Sequence, residues 1–155
     1  TLDRSSAASD VYKRQEWTVP LNDLLPFILP NPRGECLVEP TFMIRVIDVE
    51  KALSSLKYDE NIKDKIVIKI KDEHANWNHG IWEIEIENGK VKLEKKENLE
   101  PEIELNINIL SQIIAGTISS QKAYELGYIE VNNFNSLHKF NNLFPEYPTF
   151  CWDYF

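Results

Sequence analysis

The chain has 155 residues, of which 43 % are hydrophobic and 27 % charged, and its formal net charge is −8. This length and balance predict a globular domain with a buried core and exclude a disordered chain or a membrane span, which needs about 18 consecutive apolar residues. Because basic residues alternate with acidic ones, and because Cys36 and Cys151 have no partner at metal-ligand spacing, we expect no nucleic-acid or membrane partner, no zinc site and a cytoplasmic location.

The first segment, residues 1–15, has no apolar periodicity. Its stretch SSAASDVYKRQ resembles translated adaptor sequence at the ends of metagenomic reading frames, so we expect it to be non-native, with a natural flexible tail as the alternative. Because the chain begins with Thr1 and its only methionine is Met43, we expect it to be the C-terminal part of a longer protein.

Two short elements are predicted next. Residues 16–40 are apolar and proline-rich, and Asn22 is expected to cap a short helix that ends before Asn31. Residues 41–47 are rich in β-branched side chains and predict a strand. Asp48 is expected to cap a helix through about Leu56, whose apolar face consists of Val49, Ala52, Leu53 and Leu56.

The middle of the chain predicts a β-hairpin. Apolar side chains alternate with charged ones in two segments, at Ile66, Ile68 and Ile70 and again at Trp82, Ile84 and Ile86. Asn88-Gly89 predicts a two-residue type I′ turn after the second of these strands. That turn fixes the register, with Glu87 opposite Lys90, Ile86 opposite Val91, Glu85 opposite Lys92 and Ile84 opposite Leu93.

The remaining elements are a strand and three helices. Alternation over residues 103–109 predicts a strand, followed by a short helix over residues 110–115 that Gly116 ends. A second short helix is expected to begin at Ser119 or Ser120, to face inward with Ala123, Tyr124 and Leu126, and to end at Gly127. An extended stretch over residues 128–131 and a last helix over residues 135–144 follow. The expected fold is α+β, an antiparallel sheet of about five strands covered on one face by short helices.

The search for chemical motifs excludes most site classes. No glycine-rich phosphate-binding motif occurs, so we expect no nucleotide cofactor bound by this chain. His74 and His79, beside Asp72 and Glu73, are better explained as part of a polar loop than as metal ligands, and His138 as a helix surface residue. The acidic row Glu83, Glu85 and Glu87 faces lysines and is explained as a solvated sheet surface.

The end of the chain is unusually aromatic, because Trp152, Tyr154 and Phe155 occupy the last four residues. Chain ends are usually polar and frayed. Either this tail pads its own core, or it enters another site and takes its α-carboxylate there.

Several of these features, in this order, resemble the C-terminal domain of the enhanced intracellular survival (Eis) type N-acetyltransferases, whose fold is similar to sterol carrier proteins. The likeness rests on residues 43–53, the Trp77-Asn78-x-Gly80-x-Trp82 segment, the glycines Gly116 and Gly127, and the ending from Leu143 to Phe155. It implies that residues 41–155 are a sterol-carrier-like C-terminal domain, and that residues 16–40 are a linker or the end of a preceding acetyltransferase-like domain.

The resemblance also implies a catalytic role for the tail. In that family the terminal carboxylate enters the active site of the first domain and acts as general base on the acceptor amine, a position that Phe155 occupies here. Asp153 and Tyr154 are then expected to contact the substrate. A carboxylate with an ordinary pKa near 3.5 is a weak base, but burial among aromatic rings raises its pKa.

The partners implied by the resemblance are the missing acetyltransferase domains of the same chain, in a homo-oligomer. Acetyl-coenzyme A is then the co-substrate of the full-length enzyme for aminoglycoside or lysine-type amines, and the chain alone is expected to be inactive. Two alternatives stay open. A lipid carrier would need a continuous apolar cavity between sheet and helices, and a scaffold or oligomerisation domain would pack the tail on itself.

Overall fold

The computed structural model describes residues 16–20, 23–30, 35–39, 42–144 and 149. The chain divides into two compact units, Thr1–Glu39 and Pro40–Phe155. In the first unit a short helix, α1 (Leu25–Ile28), follows Asp23, whose Oδ1 accepts a hydrogen bond from the Leu25 N–H at 2.7 Å. The predicted cap Asn22 lies outside the described residues. The predicted origins of residues 1–15 and 16–40 stay predictions.

The second unit contains a five-stranded sheet and four helices in its described part. In chain order these are α2 (Val49–Ser55), β1 (Asp64–Lys71), β2 (Gly80–Glu87), β3 (Lys90–Lys96), β4 (Ile103–Asn106), α3 (Ile107–Ile114), α4 (Ser120–Glu125), β5 (Ile129–Val131) and α5 (Phe134–Leu143). The strand order is β3-β2-β1-β4-β5. The predicted α+β fold is therefore confirmed.

One pair of neighbouring strands, β1 and β4, runs parallel, whereas the other three pairs are antiparallel. Residues 97–102 carry the chain from the β3 edge to the far side of β1. There β4 begins with Ile103 opposite Ile68 and runs in the direction of β1. A connection of this kind yields a parallel neighbour, which a sheet of successive hairpins does not contain.

The predicted hairpin register is confirmed at all four pairs. Asn88 and Gly89 have φ values of 52° and 70°, as a type I′ turn requires. The ion pairs nevertheless join other partners, because Lys63 reaches Glu87 at 2.5 Å and Lys65 reaches Glu83 at 2.9 Å across the β1–β2 pair. The sheet face away from the helices is thus a layer of linked surface charge.

The other sheet face forms the core together with the helices. Its largest fully buried side chains include Ile66, Ile68, Ile70, Ile84, Ile86 and Ile103 from the strands, and Leu53, Leu110, Leu137 and Phe140 from the helices. The predicted capping of α2 is confirmed, since Asp48 Oδ1 accepts a hydrogen bond from the Lys51 N–H at 3.0 Å. Four apolar side chains at the last helix are also buried, namely Leu137, Phe140, Leu143 and Phe144.

The strand predicted over residues 41–47 is wrong, because residues 42–47 form no strand or helix. The N–H of Val46 donates to Ser111 Oγ at 2.9 Å, and the carbonyl of Ile47 accepts from two side chains. A segment whose backbone groups bond to side chains cannot also pair as part of a sheet. β-branched composition alone therefore misassigned it.

Two further boundaries differ from the prediction. Strand β4 ends at Asn106, and Ile107 and Ile109 belong to α3. Residues 110 and 111 lie about one helical turn after residue 107, and all three are buried on the same side of the helix.

In α4, Ala123 is buried as predicted, but Tyr124 and Leu126 are exposed. A helix of six residues buries one narrow stripe, here Ser120 and Ala123.

Candidate functional site

The predicted catalytic tail lies outside the described residues: Asp153, Tyr154 and Phe155 are all among the residues that the structure leaves undescribed. Their roles stay predictions. The last described point of the tail is Thr149, whose hydroxyl donates to the carbonyl of Ala115 at the end of α3.

A buried carboxylate, Asp72, organises the loop between β1 and β2. Its Oδ1 accepts hydrogen bonds from the N–H groups of His74 and Ala75 at 3.0 and 3.1 Å and from Arg45 Nη2 at 2.8 Å. Its Oδ2 accepts from Asn78 Nδ2 at 3.0 Å. All four contacts stabilise the ionised form, so Asp72 serves as a fixed anion.

The pKa of Asp72 reflects this environment. Burial by itself raises the pKa of the carboxyl, but the hydrogen bonds from Asn78, the two loop amides and Arg45 outweigh it and lower the pKa to about 2. A carboxylate this acidic takes no proton from an amine at neutral pH. Asp72 is thus a structural anchor and not a general base.

Asn78 connects this loop to the segment before α2. It is 1 % exposed, and its Oδ1 accepts from the Val49 N–H at 3.0 Å while its Nδ2 donates to the Ile47 carbonyl at 3.0 Å. The neighbouring Trp77 Nε1 donates to the same carbonyl at 2.8 Å. The loop therefore holds residues 47–49 from two adjacent side chains.

The described residues with clearly shifted pKa values are fixed in their existing charge states. Among the described residues, each pKa that departs clearly from its ordinary value does so in the direction that fixes the existing charge: the carboxyl pKa values fall and the lysine pKa values rise. Burial raises the pKa of Tyr58 to about 12. Catalytic groups are usually shifted toward neutrality, so none of these shifted residues has the pKa pattern of a catalytic acid or base.

Two surface clefts have no chemistry that suggests a reaction. One, of about 230 Å³, lies beside Lys71, Glu104, Tyr128 and Glu130. The hydrogen bond from Lys71 lowers the pKa of Glu104, and Lys69 Nζ contacts the same carboxylate at 3.1 Å. The other cleft, of about 480 Å³, lies beside His79, Gly80, Lys95 and Lys96.

The core leaves little room for a lipid. Phe140 and Leu110, which lie between the sheet and the helices, are both 0 % exposed, and Phe140 packs edge-on against Phe144 with ring centroids 5.0 Å apart. A tunnel wide enough for an acyl chain would leave the side chains that line it accessible from within. A lipid carrier needs a continuous apolar cavity between the sheet and the helices, so these large buried side chains count against that alternative.

The histidines do not form a metal centre with their neighbours. His79 Nδ1 accepts a hydrogen bond from the Asp72 N–H at 3.3 Å, and His138 is exposed on α5. In the described part of the chain no group of three or more histidine, cysteine and acidic residues is arranged to hold a metal ion. Likewise, none of the described helices has the length and hydropathy of a membrane span.

The most unusual surface feature is a group of exposed apolar side chains at the start of the second unit. We name this group the apolar face; it consists of Phe42, Met43, Ile44, Ile47 and Trp77. Met43 is 100 % exposed, Ile47 63 % and Trp77 61 %. Sequence reasoning missed this face, because the β-branched composition of residues 41–47 suggested a paired strand. It also missed the role of Asn78, because in sequence this residue resembles any other polar loop residue.

Comparison with known families gives one match. A family model described as a sterol carrier protein domain matches residues 49–152, which is more than half of the chain. A search of curated proteins finds no match.

Solved structures share this fold. The chain is similar to a GCN5-related N-acetyltransferase from Anabaena variabilis ATCC 29413 (TM-score 0.75, 21 % identity, 87 % of this chain and 34 % of that one). It is also similar to Eis1 from Mycobacterium abscessus (TM-score 0.71, 19 % identity, 88 % and 34 %) and to a conserved protein of unknown function from Enterococcus faecalis V583 (TM-score 0.77, 20 % identity, 88 % and 34 %). The chain thus spans about a third of each of these structures.

Proposed function

The chain belongs to the sterol carrier protein domain family, and from that premise we propose that it is the C-terminal domain of a longer, acetyl-coenzyme A-dependent amine N-acetyltransferase of the Eis type. The observation that carries this proposal is coverage. Nearly nine-tenths of this chain aligns with a third of two proteins described as N-acetyltransferases or as Eis1. The remaining two-thirds of such a protein would supply the acetyl-coenzyme A site.

The charge states of the described residues support a proposal in which the catalytic base is supplied by another part of the protein. Amine acetylation needs a base that accepts the ammonium proton, whereas the described carboxyl groups whose pKa departs clearly from its ordinary value all have it lowered. We therefore assign the base to a group outside the described residues. In this proposal it is the α-carboxylate of Phe155, which requires Phe155 to be the last residue of the mature protein.

In the proposed reaction the tail carboxylate acts on the acceptor amine. The Phe155 carboxylate accepts one proton from the acceptor ammonium, and the freed amine forms a C–N bond with the acetyl carbon. The C–S bond of the thioester then breaks, and the thiolate leaves as coenzyme A after taking a proton from an acid of the missing domain. The nitrogen gives up its second proton as the amide forms, and that proton restores the acid, so one proton is released overall. Asp153 and Tyr154 are proposed to bind the cationic acceptor, whose charge suits the chain's net charge of −8.

Calorimetry tests this division between domains. We expect acetyl-coenzyme A titrated into the 155-residue chain to give no binding heat, because the described residues form no phosphate-binding loop, and we expect the longer protein to bind it. The control is Lys71→Ala in the chain, which removes a cation from the cleft beside Glu104. Tight binding by the chain alone would contradict the proposal, and its loss in Lys71→Ala would assign that binding to this cleft.

A further inference from the structure

In the described sheet, strand β3 lies at an edge, with β2 as its one neighbour. Its hairpin is closed by a two-residue type I′ turn, in which the residues that flank the turn form a hydrogen-bonded pair. Such pairs alternate with non-bonded pairs along the strands, so the even-numbered residues of β3, beginning with Lys90, bond to β2. The N–H and C=O groups of the odd-numbered residues point away from the sheet. We name these outward groups, which belong to Val91, Leu93 and Lys95, the outer edge.

The outer edge has the properties of a pairing surface. In the part of the chain that the structure describes, Val91, Leu93 and Lys95 form no backbone–backbone hydrogen bond with any segment outside the sheet. An edge strand whose amides and carbonyls lack such partners is a template for one more extended segment. With seven residues, β3 is as long as an ordinary strand and can pair over its whole length.

Strand β3 is basic although the protein is acidic. Four lysines and one glutamate give the strand a net charge of +3, whereas the whole chain carries −8. Glu94 pairs with both Lys92, at 2.8 Å, and Lys96, at 2.5 Å, so one carboxylate serves two ammonium groups. Lys90 is exposed, and the glutamate opposite to it pairs with Lys63 instead. The strand therefore keeps positive charge that is available to an anionic partner.

We propose that β3 binds an extended acidic segment of a partner protein, which adds to the sheet as a sixth, antiparallel strand. On the outer edge the even-numbered residues form the non-bonded pairs, whose side chains approach most closely. Aspartate or glutamate opposite Lys90 and Lys92 gains from the opposite charge, and apolar residues fall opposite Val91 and Leu93, which pack against the core. The partner segment therefore alternates acidic and apolar side chains.

A second copy of the chain fits the outer edge less well. Two β3 strands would bring two charges of +3 together, and directly opposed like charges destabilise a strand pair. Lysines on an edge strand are in addition a common means of preventing two sheets from joining. The lysines that oppose self-pairing attract an acidic strand, so charge selects the partner. This inference is independent of the proposed function, because it concerns this domain alone.

Fluorescence anisotropy with a labelled peptide tests strand addition to the 155-residue chain. The probe has the sequence Glu-Val-Thr-Leu-Glu-Val-Glu with blocked ends, which places glutamate opposite Lys96, Lys92 and Lys90 in an antiparallel pair. We expect saturable binding that weakens at high salt, and at least about tenfold weaker binding of the same peptide with lysine in place of glutamate. Lys92→Glu is expected to weaken probe binding at least about fivefold. The matched control Lys122→Glu, at an exposed side chain of α4, is expected to leave it unchanged.

Two methylated peptides separate strand addition from general attraction to anions. Methylation of the leucine amide removes an N–H that bonds to Leu93 in the proposed pair, and it is expected to abolish binding. Methylation of the next glutamate amide, whose N–H points away from β3, is expected to preserve binding. Binding that tolerates both methylations would overturn the proposal and make β3 a general anion site. Lack of binding to the folded chain, or self-association of the chain through β3 in place of peptide binding, would also overturn it.

Discussion

Addition of a single glycine after Phe155 is expected to lower kcat/KM for acetyl transfer by the longer protein at least about 100-fold. The extension moves the carboxylate by roughly 3.5 Å and leaves every side chain in place. General base catalysis contributes about 100-fold to 10,000-fold, and it depends on contact between base and proton at hydrogen-bond distance. The measurement is steady-state acetylation of an aminoglycoside and of a lysine amine.

Two controls sharpen this experiment. A Phe155 carboxamide, made by ligation, keeps the chain length and removes the charge, so we expect it to lose as much activity as the extension. Phe155→Leu keeps the carboxylate and is expected to retain most of the activity. Unchanged turnover in the extended protein would reject the base and favour the scaffold alternative, in which the whole tail packs on its own domain as Thr149 does.

Asp72→Asn is expected to lower the free energy of unfolding by about 2–3 kcal/mol at pH 7. The amide of asparagine has no negative charge to pair with the Arg45 guanidinium. Its NH₂ group would also face N–H groups that donate hydrogen bonds to the Asp72 carboxylate, so buried donors would lose their acceptor. Urea denaturation measures the change. The matched control is Asp59→Asn, at an exposed carboxylate that accepts a bond from the Asn61 N–H, where we expect a change within about 0.5 kcal/mol.

The same variant has a defined pH dependence. The pKa of Asp72 is about 2 in the folded chain and 3.8 ordinarily, so its ionised form stabilises the fold fully above pH 3.8 and loses this contribution as the pH falls through 2. The stability difference between the wild type and Asp72→Asn should therefore be largest at neutral pH and shrink between pH 3.8 and pH 2. A difference that grows on acidification would show that Asp72 is not held as an anion.

The sequence was most informative where local chemistry determines structure. The Asn88-Gly89 turn fixes the hairpin register through backbone angles that few other residue pairs adopt, and all four predicted pairs are found. Asp48 and Ser119 act as helix caps as predicted, because their side chains bond within three residues.

The predictions failed for segments whose structure depends on contacts with residues far away in the sequence. Residues 42–47 have the composition of a strand, but Ser111, 65 positions after Val46, takes the amide that a neighbouring strand would need. Ile107 and Ile109 continue the apolar alternation of the strand, but they also fit the apolar pattern of the helix that follows. The chain forms the helix here, because that conformation buries its apolar side against the sheet. The apolar face and the Asp72 network likewise depend on contacts between distant segments, which periodicity does not reveal.

Complementation in trans is the most direct test of the claim that this chain completes an N-acetyltransferase. A version of the longer protein that ends at residue 40 is assayed for acetyl transfer alone and with the 155-residue chain added as a separate polypeptide. Neither part is expected to be active by itself, and the mixture is expected to gain at least about tenfold in rate, within the range that a general base contributes. Full activity of the shortened protein, or no gain on mixing two folded parts, would contradict the account.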